Sequence, residues 1–295
     1  MLRLLPIPLA LLPLACAGPA GPPAPVPATI PEAPEAPAEE LPPPAPVPLD
    51  AGLFERVVIV GASMSAGFNL QLETGVDTRL ADALGEALLV EHGLVHDGAT
   101  SMLFLDTEPM AAEMIAAARA AEPTLVLAVD FPFWFLYGPA RSVEDRLARL
   151  DRGLELLASL DAPVLVGDVP FMEGAAGGMI PHASMPPAEA FTPANGRIAA
   201  WADEDEDRVL VGLSAFNRTL RDGGAFEVAG HTWDPAMDGP LLQADELHPN
   251  LAGTAVLVVQ TLARLAEERG ELLDGVVLTD PLDLADAVDD RMAER

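Results

Sequence analysis

Residues 56–67 read R-V-V-I-V-G-A-S-M-S-A-G, and this stretch decides the fold. Arg56–Val60 is a short β-branched run of the kind that forms a buried strand, and Gly61 stops it. A small-residue turn from Gly61 to Gly67 follows and carries Ser63. Leu80, Ala83, Leu84, Ala87 and Leu88 then recur at helical spacing, which predicts a helix over Thr78–Glu91. A strand that passes through a tight turn into an amphipathic helix is the opening unit of an α/β chain.

The alternation continues. Leu94–Val95 opens a second strand, and Glu108–Ala121 reads as a helix with Met110, Met114, Ile115 and Ala118 on one face. Thr124–Val129 is a continuous apolar run, as expected of a strand buried on both faces. A helix over Val143–Leu160, a strand at Pro163–Val166, a short helix at Pro193–Ala202, a fifth strand at Val209–Leu213 and a helix at Leu251–Arg269 follow. The prediction is an α/β three-layer sandwich: a mainly parallel five-stranded sheet with helices on both faces, similar to flavodoxin-like folds. Glu271–Arg295 is acidic and weakly helical, an extra packed helix or a frayed end.

The ends of the chain are read from composition. Of 295 residues, 46 are Asp or Glu and 16 are Lys or Arg, a formal net charge of −30. Every basic residue is Arg. Such a chain repels phosphate backbones, so no nucleic-acid partner is expected. Residues 1–16 pair one Arg with a short apolar run that ends at Cys16, the layout of an export signal. A cysteine in that place resembles a bacterial lipoprotein signal, with the Cys16 thiol lipidated; an ordinary export signal with an incidental cysteine is the other reading. Residues 17–50 are Pro, Ala and Glu, a semi-rigid tether. The expected layout is therefore signal segment 1–16, tether 17–50 and folded domain 51–295. The expected setting is an exported cell-envelope lipoprotein (periplasm or outer surface) or a secreted protein, with membrane contact only through the anchor.

In a parallel sheet, ligands bind beyond the carboxyl ends of the strands. Gly61–Gly67 lacks the G-x-G-x-x-G spacing, and without Lys it is no phosphate-binding loop of the Walker type. It offers an exposed hydroxyl, Ser63, beside backbone N–H groups that can hold an oxyanion, although such turns also occur for purely structural reasons. D-E-L-H-P-N, Asp245–Asn250, stands directly before the last helix. There the Asp245 carboxylate can fold back onto one nitrogen of His248 and leave the other free to take a proton from Ser63. A helix cap at Asp245 or Asn250 with His248 an exposed loop residue is the alternative.

Taken together, the two blocks resemble the SGNH (GDSL-like) hydrolase family over most of Phe54–Arg269. The family's first block, G-D-S-x-S, matches Gly61-Ala62-Ser63-Met64-Ser65, and its D-x-x-H-P block matches Asp245 and His248. The resemblance implies a serine ester hydrolase that works through an acyl-enzyme, with Ser63 as nucleophile, His248 as base and Asp245 as its orienter. It implies an oxyanion hole from the N–H groups of Ser63 and Ser101, with Gly98 as neighbour, in the stretch His96–Ser101. It departs at the third block, where the family's G-x-N-D supplies an Asn donor and this chain has Asp130-Phe131-Pro132-Phe133-Trp134. An ionised Asp accepts hydrogen bonds and cannot donate. That departure motivates a second expectation, a catalytically impaired cell-envelope binding module.

Asp130 either orients substrate or bonds the N–H groups of the Ser63 turn. Phe131, Phe133 and Trp134, with Phe135 and Tyr137 close by, either line an acyl pocket or cover the sheet end as core. Gly174–Pro187 reads as a long flexible loop placed to act as a lid. The remaining histidines, His92, His96, His182 and His231, have no ligand spacing, so neither a metal nor a cofactor is expected. Expected partners are an ester of a small molecule, polysaccharide or lipid, and the protein is expected to be a monomer.

Overall fold

The computed structural model describes residues 47–295. Five strands form one sheet: β1 (Val57–Ile59), β2 (His96–Asp97), β3 (Leu125–Ala128), β4 (Val164–Gly167) and β5 (Arg208–Val211). Their order is β2-β1-β3-β4-β5, all parallel, with Val58 opposite both His96 and Val126, and Val164 opposite both Val126 and Arg208. The chain steps outward from β1 to β2 and then crosses back to β3. The carboxyl ends of β1 and β3 therefore flank the switch point at which such sheets open a crevice.

Side-chain alternation along the strands divides the interior. Val57, Ile59, Leu125, Leu127, Leu165, Val209 and Val211 face one layer; Val58, Val60, Val126, Ala128, Val164 and Val166 face the other. Helices α1 (Leu80–Ala87), α2 (Thr107–Ala120), α3 (Val143–Leu157), α4 (Phe191–Asp203), α5 (Leu213–Asp222), α6 (Leu251–Arg269) and α7 (Pro281–Ala293) cover these faces. The first layer receives α1, α5, α6 and α7; the second receives α2, α3 and α4. The three-layer parallel α/β architecture is the one the sequence predicts, and α6 coincides with its expected span.

Several boundaries differ for physical reasons. Helix α1 stops at Ala87 because Leu88 turns extended (φ −83°, ψ 114°), bridges Val277, and is followed by Leu89 N–H donating to Val276 at 2.8 Å. The second strand forms at His96–Asp97 rather than Leu94–Val95, and Leu94 is left exposed. Leu213 begins α5 instead of ending β5. The hairpin Phe226–Val228/His231–Trp233 has no counterpart in the sequence reading; it turns on Ala229 (φ 48°) and Gly230 (φ 92°) and buries Trp233 completely. Val47–Pro48 pairs with Glu271–Leu272 and Leu49 is buried, so the fold reaches back into the stretch assigned to the tether. The signal segment, Cys16 and the rest of the tether lie outside the described residues.

The terminal stretch resolves into α7, capped by Asp280, whose carboxylate accepts from the N–H groups of Leu282 and Asp283. Leu284, Val288 and Met292 recur on its inner face and are buried against α1 and α6. Leu284→Ala is expected to cost about 2–5 kcal/mol, read as a lowered midpoint in denaturant with unchanged slope. A loss below about 0.5 kcal/mol would place α7 outside the cooperative core.

Candidate active site

Gly61 follows β1 and must be glycine: a Cβ there would stand 2.1 Å from Asp130 Oδ1 and 2.7 Å from Ser65 Oγ. Asp130, at the carboxyl end of β3, is buried and accepts four hydrogen bonds from the turn. Its Oδ1 takes Ala62 N–H (2.9 Å) and Ser65 O–H (2.6 Å), and its Oδ2 takes Met64 N–H (2.9 Å) and Ser65 N–H (3.2 Å). Burial pushes the Asp130 carboxyl above its ordinary value, against the pull of those four donors. The turn is thus clamped everywhere except at Ser63, whose N–H has no partner among the described residues and whose hydroxyl projects into a cavity.

His248 closes on that hydroxyl. Its Nε2 lies 2.8 Å from Ser63 Oγ, and its Nδ1 lies 2.8 Å from Asp245 Oδ2. Asp245 Oδ1 also accepts the N–H groups of Leu247 and His248, each at 3.0 Å. Burial works to raise the Asp245 carboxyl, but the His248 N–H, the imidazole and the Leu247 N–H outweigh it and hold it below the usual carboxylate range. Glu246 adopts a left-handed conformation (φ 56°), which lets the turn close. The imidazole is buried and the Phe68 ring stacks on it, with centroids 4.4 Å apart. The capping alternative holds at one residue: Asn250 Oδ1 caps α6 by accepting Gly253 N–H at 2.8 Å, while Asp245 faces the imidazole.

Gln243 joins the two halves. Its Nε2 donates to Phe68 O (2.7 Å) on the serine side and to Pro249 O (2.8 Å) on the histidine side. Sequence reading missed it, since a lone Gln upstream of the motif carries no pattern of its own.

The turn after β2 is set by Asp97, which accepts Ala99 N–H at 2.9 Å and pairs with Arg79, while Arg79 donates to Ala99 O at 2.7 Å. Thr100 N–H donates to Gly61 O at 3.1 Å and so seats this turn against the serine turn. Ser101 N–H remains unpaired among the described residues. Gly98 departs from expectation: its N–H donates to Ile59 O at 2.8 Å as a rung of the sheet and is unavailable to an oxyanion.

The aromatic run divides. Phe133 lines the cavity beside Ser63, as do Asp130 and Met172. Phe131 and Trp134 do not: Phe131 is fully buried against Phe135, and Trp134 packs between Phe104 and Phe133, so both belong to the second core layer and not to a substrate pocket. Tyr137 stacks on Phe133 (4.0 Å), donates to Pro170 O and accepts Met172 N–H, fixing the cavity wall.

The expected lid is pinned in this structure. Gly138 N–H donates to Ser184 O at 2.8 Å, buried Arg146 reaches Ser184 O (3.5 Å) and Met185 O (3.4 Å), and Ile180 and Ser184 are buried. His182 is exposed, His92 bonds the neighbouring Gly93 carbonyl, and His231 pairs with Asp280.

No family model matches the chain, and no curated protein matches it. Among solved structures it is similar to TesA (TM-score 0.45, 20% identity, covering 72% of this chain and 99% of that one). It is also similar to the esterase EstA from Pseudoalteromonas sp. (0.42, 18%, 72% and 97%) and to an acetylxylan esterase from Geobacillus stearothermophilus (0.43, 16%, 74% and 95%).

Asp130→Asn leaves two turn donors facing an NH2 group, with an expected cost of about 1–3 kcal/mol in chemical denaturation and at least a tenfold loss of any Ser63 reactivity. Unchanged stability and unchanged Ser63 reactivity would show that these four bonds do not hold the turn. Asp245, held low, adds stability above its unfolded value near 3.9, and that contribution disappears as pH falls through the lower folded value. The stability gap between wild type and Asp245→Asn is therefore expected to stay level above about pH 5 and to shrink in more acid solution. A gap that widens in acid would contradict the assignment.

Proposed function

We propose that the chain is a serine ester hydrolase of the SGNH type. The observation that carries this reading is the continuous line Ser63 Oγ, His248 Nε2, His248 Nδ1, Asp245 Oδ2, with each contact at 2.8 Å. His248 takes the proton as Ser63 Oγ attacks the ester carbonyl, and Asp245 holds the tautomer and balances the imidazolium. The N–H groups of Ser63 and Ser101 are the free donors for the oxyanion. Collapse expels the alcohol or thiol, protonated by His248; water activated by the same imidazole then releases the acid and restores Ser63.

The cavity supports an apolar acyl group. It measures about 80 Å³ and is walled mainly by Met172, Leu213, Phe216, Leu220, Leu242 and Leu247. Such a wall suits a hydrocarbon acyl chain better than a bare acetyl group. The N-terminal layout supports export, with Cys16 as a lipid anchor.

Against p-nitrophenyl esters, kcat/KM is expected to be higher for a medium-length acyl chain than for acetate, and Ser63→Ala is expected to reduce it at least ~10³-fold. A folded Ser63→Ala protein that retained esterase activity would refute the reading. A wild type without activity on any chain length would favour the binding module, and fastest turnover of acetate would refute the acyl assignment.

A further inference from the structure

Helix α5 presents Leu213, Phe216, Asn217 and Leu220 to the cavity beside Ser63 and His248. These positions are spaced i, i+3, i+4 and i+7, one face of a helix. Three of the four are apolar. Asn217 is half-buried, and its amide has no hydrogen-bond partner among the described residues. The other polar side chains on the cavity wall are committed. Ser63 and His248 bond each other, and both Asp130 oxygens are taken by the serine turn.

A second depression lies on the far side of this wall, lined by Thr192, Ser214, Arg218 and Arg221 among others, and Asn217 is the one residue that lines both. The extended segment 169–172 separates the two hollows: Val169 and Phe171 face the polar groove, and Pro170 and Met172 face the apolar cavity. Asn217 therefore stands where the wall changes from apolar to polar, with its donors uncommitted.

We propose that Asn217 is a specificity-determining residue whose amide donates a hydrogen bond to an oxygen carried within the acyl part of the substrate, so that an oxygen-bearing acyl ester is favoured over a plain alkanoate. The proposal rests on the ester-hydrolase reading. A pure hydrocarbon filling the cavity strips water from the Asn217 amide and returns nothing, whereas an ether, hydroxyl or carbonyl oxygen at the same depth satisfies it.

The test replaces one methylene of a p-nitrophenyl hexanoate with oxygen at successive positions, keeping size nearly constant. Each kcat/KM is divided by the ester's alkaline hydrolysis rate to remove intrinsic reactivity. At one position the wild type is expected to prefer the oxygen-containing ester by about fivefold or more, the gain from one satisfied hydrogen bond. Asn217→Leu is expected to lose that preference, so that the corrected ratio of the two esters falls to about one. Asn217→Asp keeps the shape but offers only acceptors when ionised, so it should lose the preference too. Far-UV circular dichroism confirms that both variants fold. Absence of a position-dependent preference, or a preference that survives both substitutions, overturns the proposal. Fluorophosphonate labelling in parallel separates the two failures. Label on Ser63 with no oxygen preference defeats this inference alone; no label on Ser63 defeats the hydrolase reading and this inference with it.

Discussion

A buried carboxylate accepting four hydrogen bonds holds the site together. Asp130 gathers the turn after β1 from beneath, using both oxygens, and Gly61 is the residue that lets it approach. Burying that charge is unfavourable, as the upward displacement of its carboxyl shows. What the fold gains is definition. Ala62, Met64 and Ser65 are tied down, and Ser63 faces the cavity with its N–H unpaired among the described residues. Both oxygens of Asp130 are thereby committed to building the serine turn.

The second half of the site depends on sheet topology. Because the chain reverses direction across the sheet at β1, the carboxyl ends of β1 and β3 share the crevice, with the β2 turn at its edge. The segment before α6 is brought over this crevice by Gln243, which bonds one carbonyl on each side, and by Phe68, which stacks on the imidazole. The 2.8 Å contact between His248 and Ser63, 185 positions apart, rests on those two supports. Polar contacts thus fix the serine turn against both the β2 turn and the histidine turn.

Much of this was legible in the sequence. Thr124–Val129 announced a strand buried on both faces by being apolar throughout, and Leu251–Arg269 announced its helix by length and periodicity. Ser63, Asp245 and His248 were legible because short-range chemistry constrains their spacing: a small turn after a strand, and a carboxylate three residues before an imidazole. Other features were not. Helix α5 has four apolar residues in ten, with Ala215 exposed off the inner face, and borders on a strand, so its period is too short to register. The role of Trp134 depends on which way the four-residue helix Phe133–Leu136 turns its side chains, and that of Phe131 on the turn leading into it. Gly98 was expected in the oxyanion hole, and only strand pairing revealed that its N–H is spent on Ile59. Gln243 and Asn217 have no sequence signature, since their importance comes from partners remote in the chain or from the absence of any.

The proposed hydrolase depends on proton transfer between His248 and Ser63, and the second-order rate of fluorophosphonate labelling at Ser63 measures it most directly. The wild type should be modified once, at Ser63, and a folded His248→Ala protein should react about 10²–10⁴ times more slowly. Equal rates in the two proteins, or modification at another residue, would contradict the account.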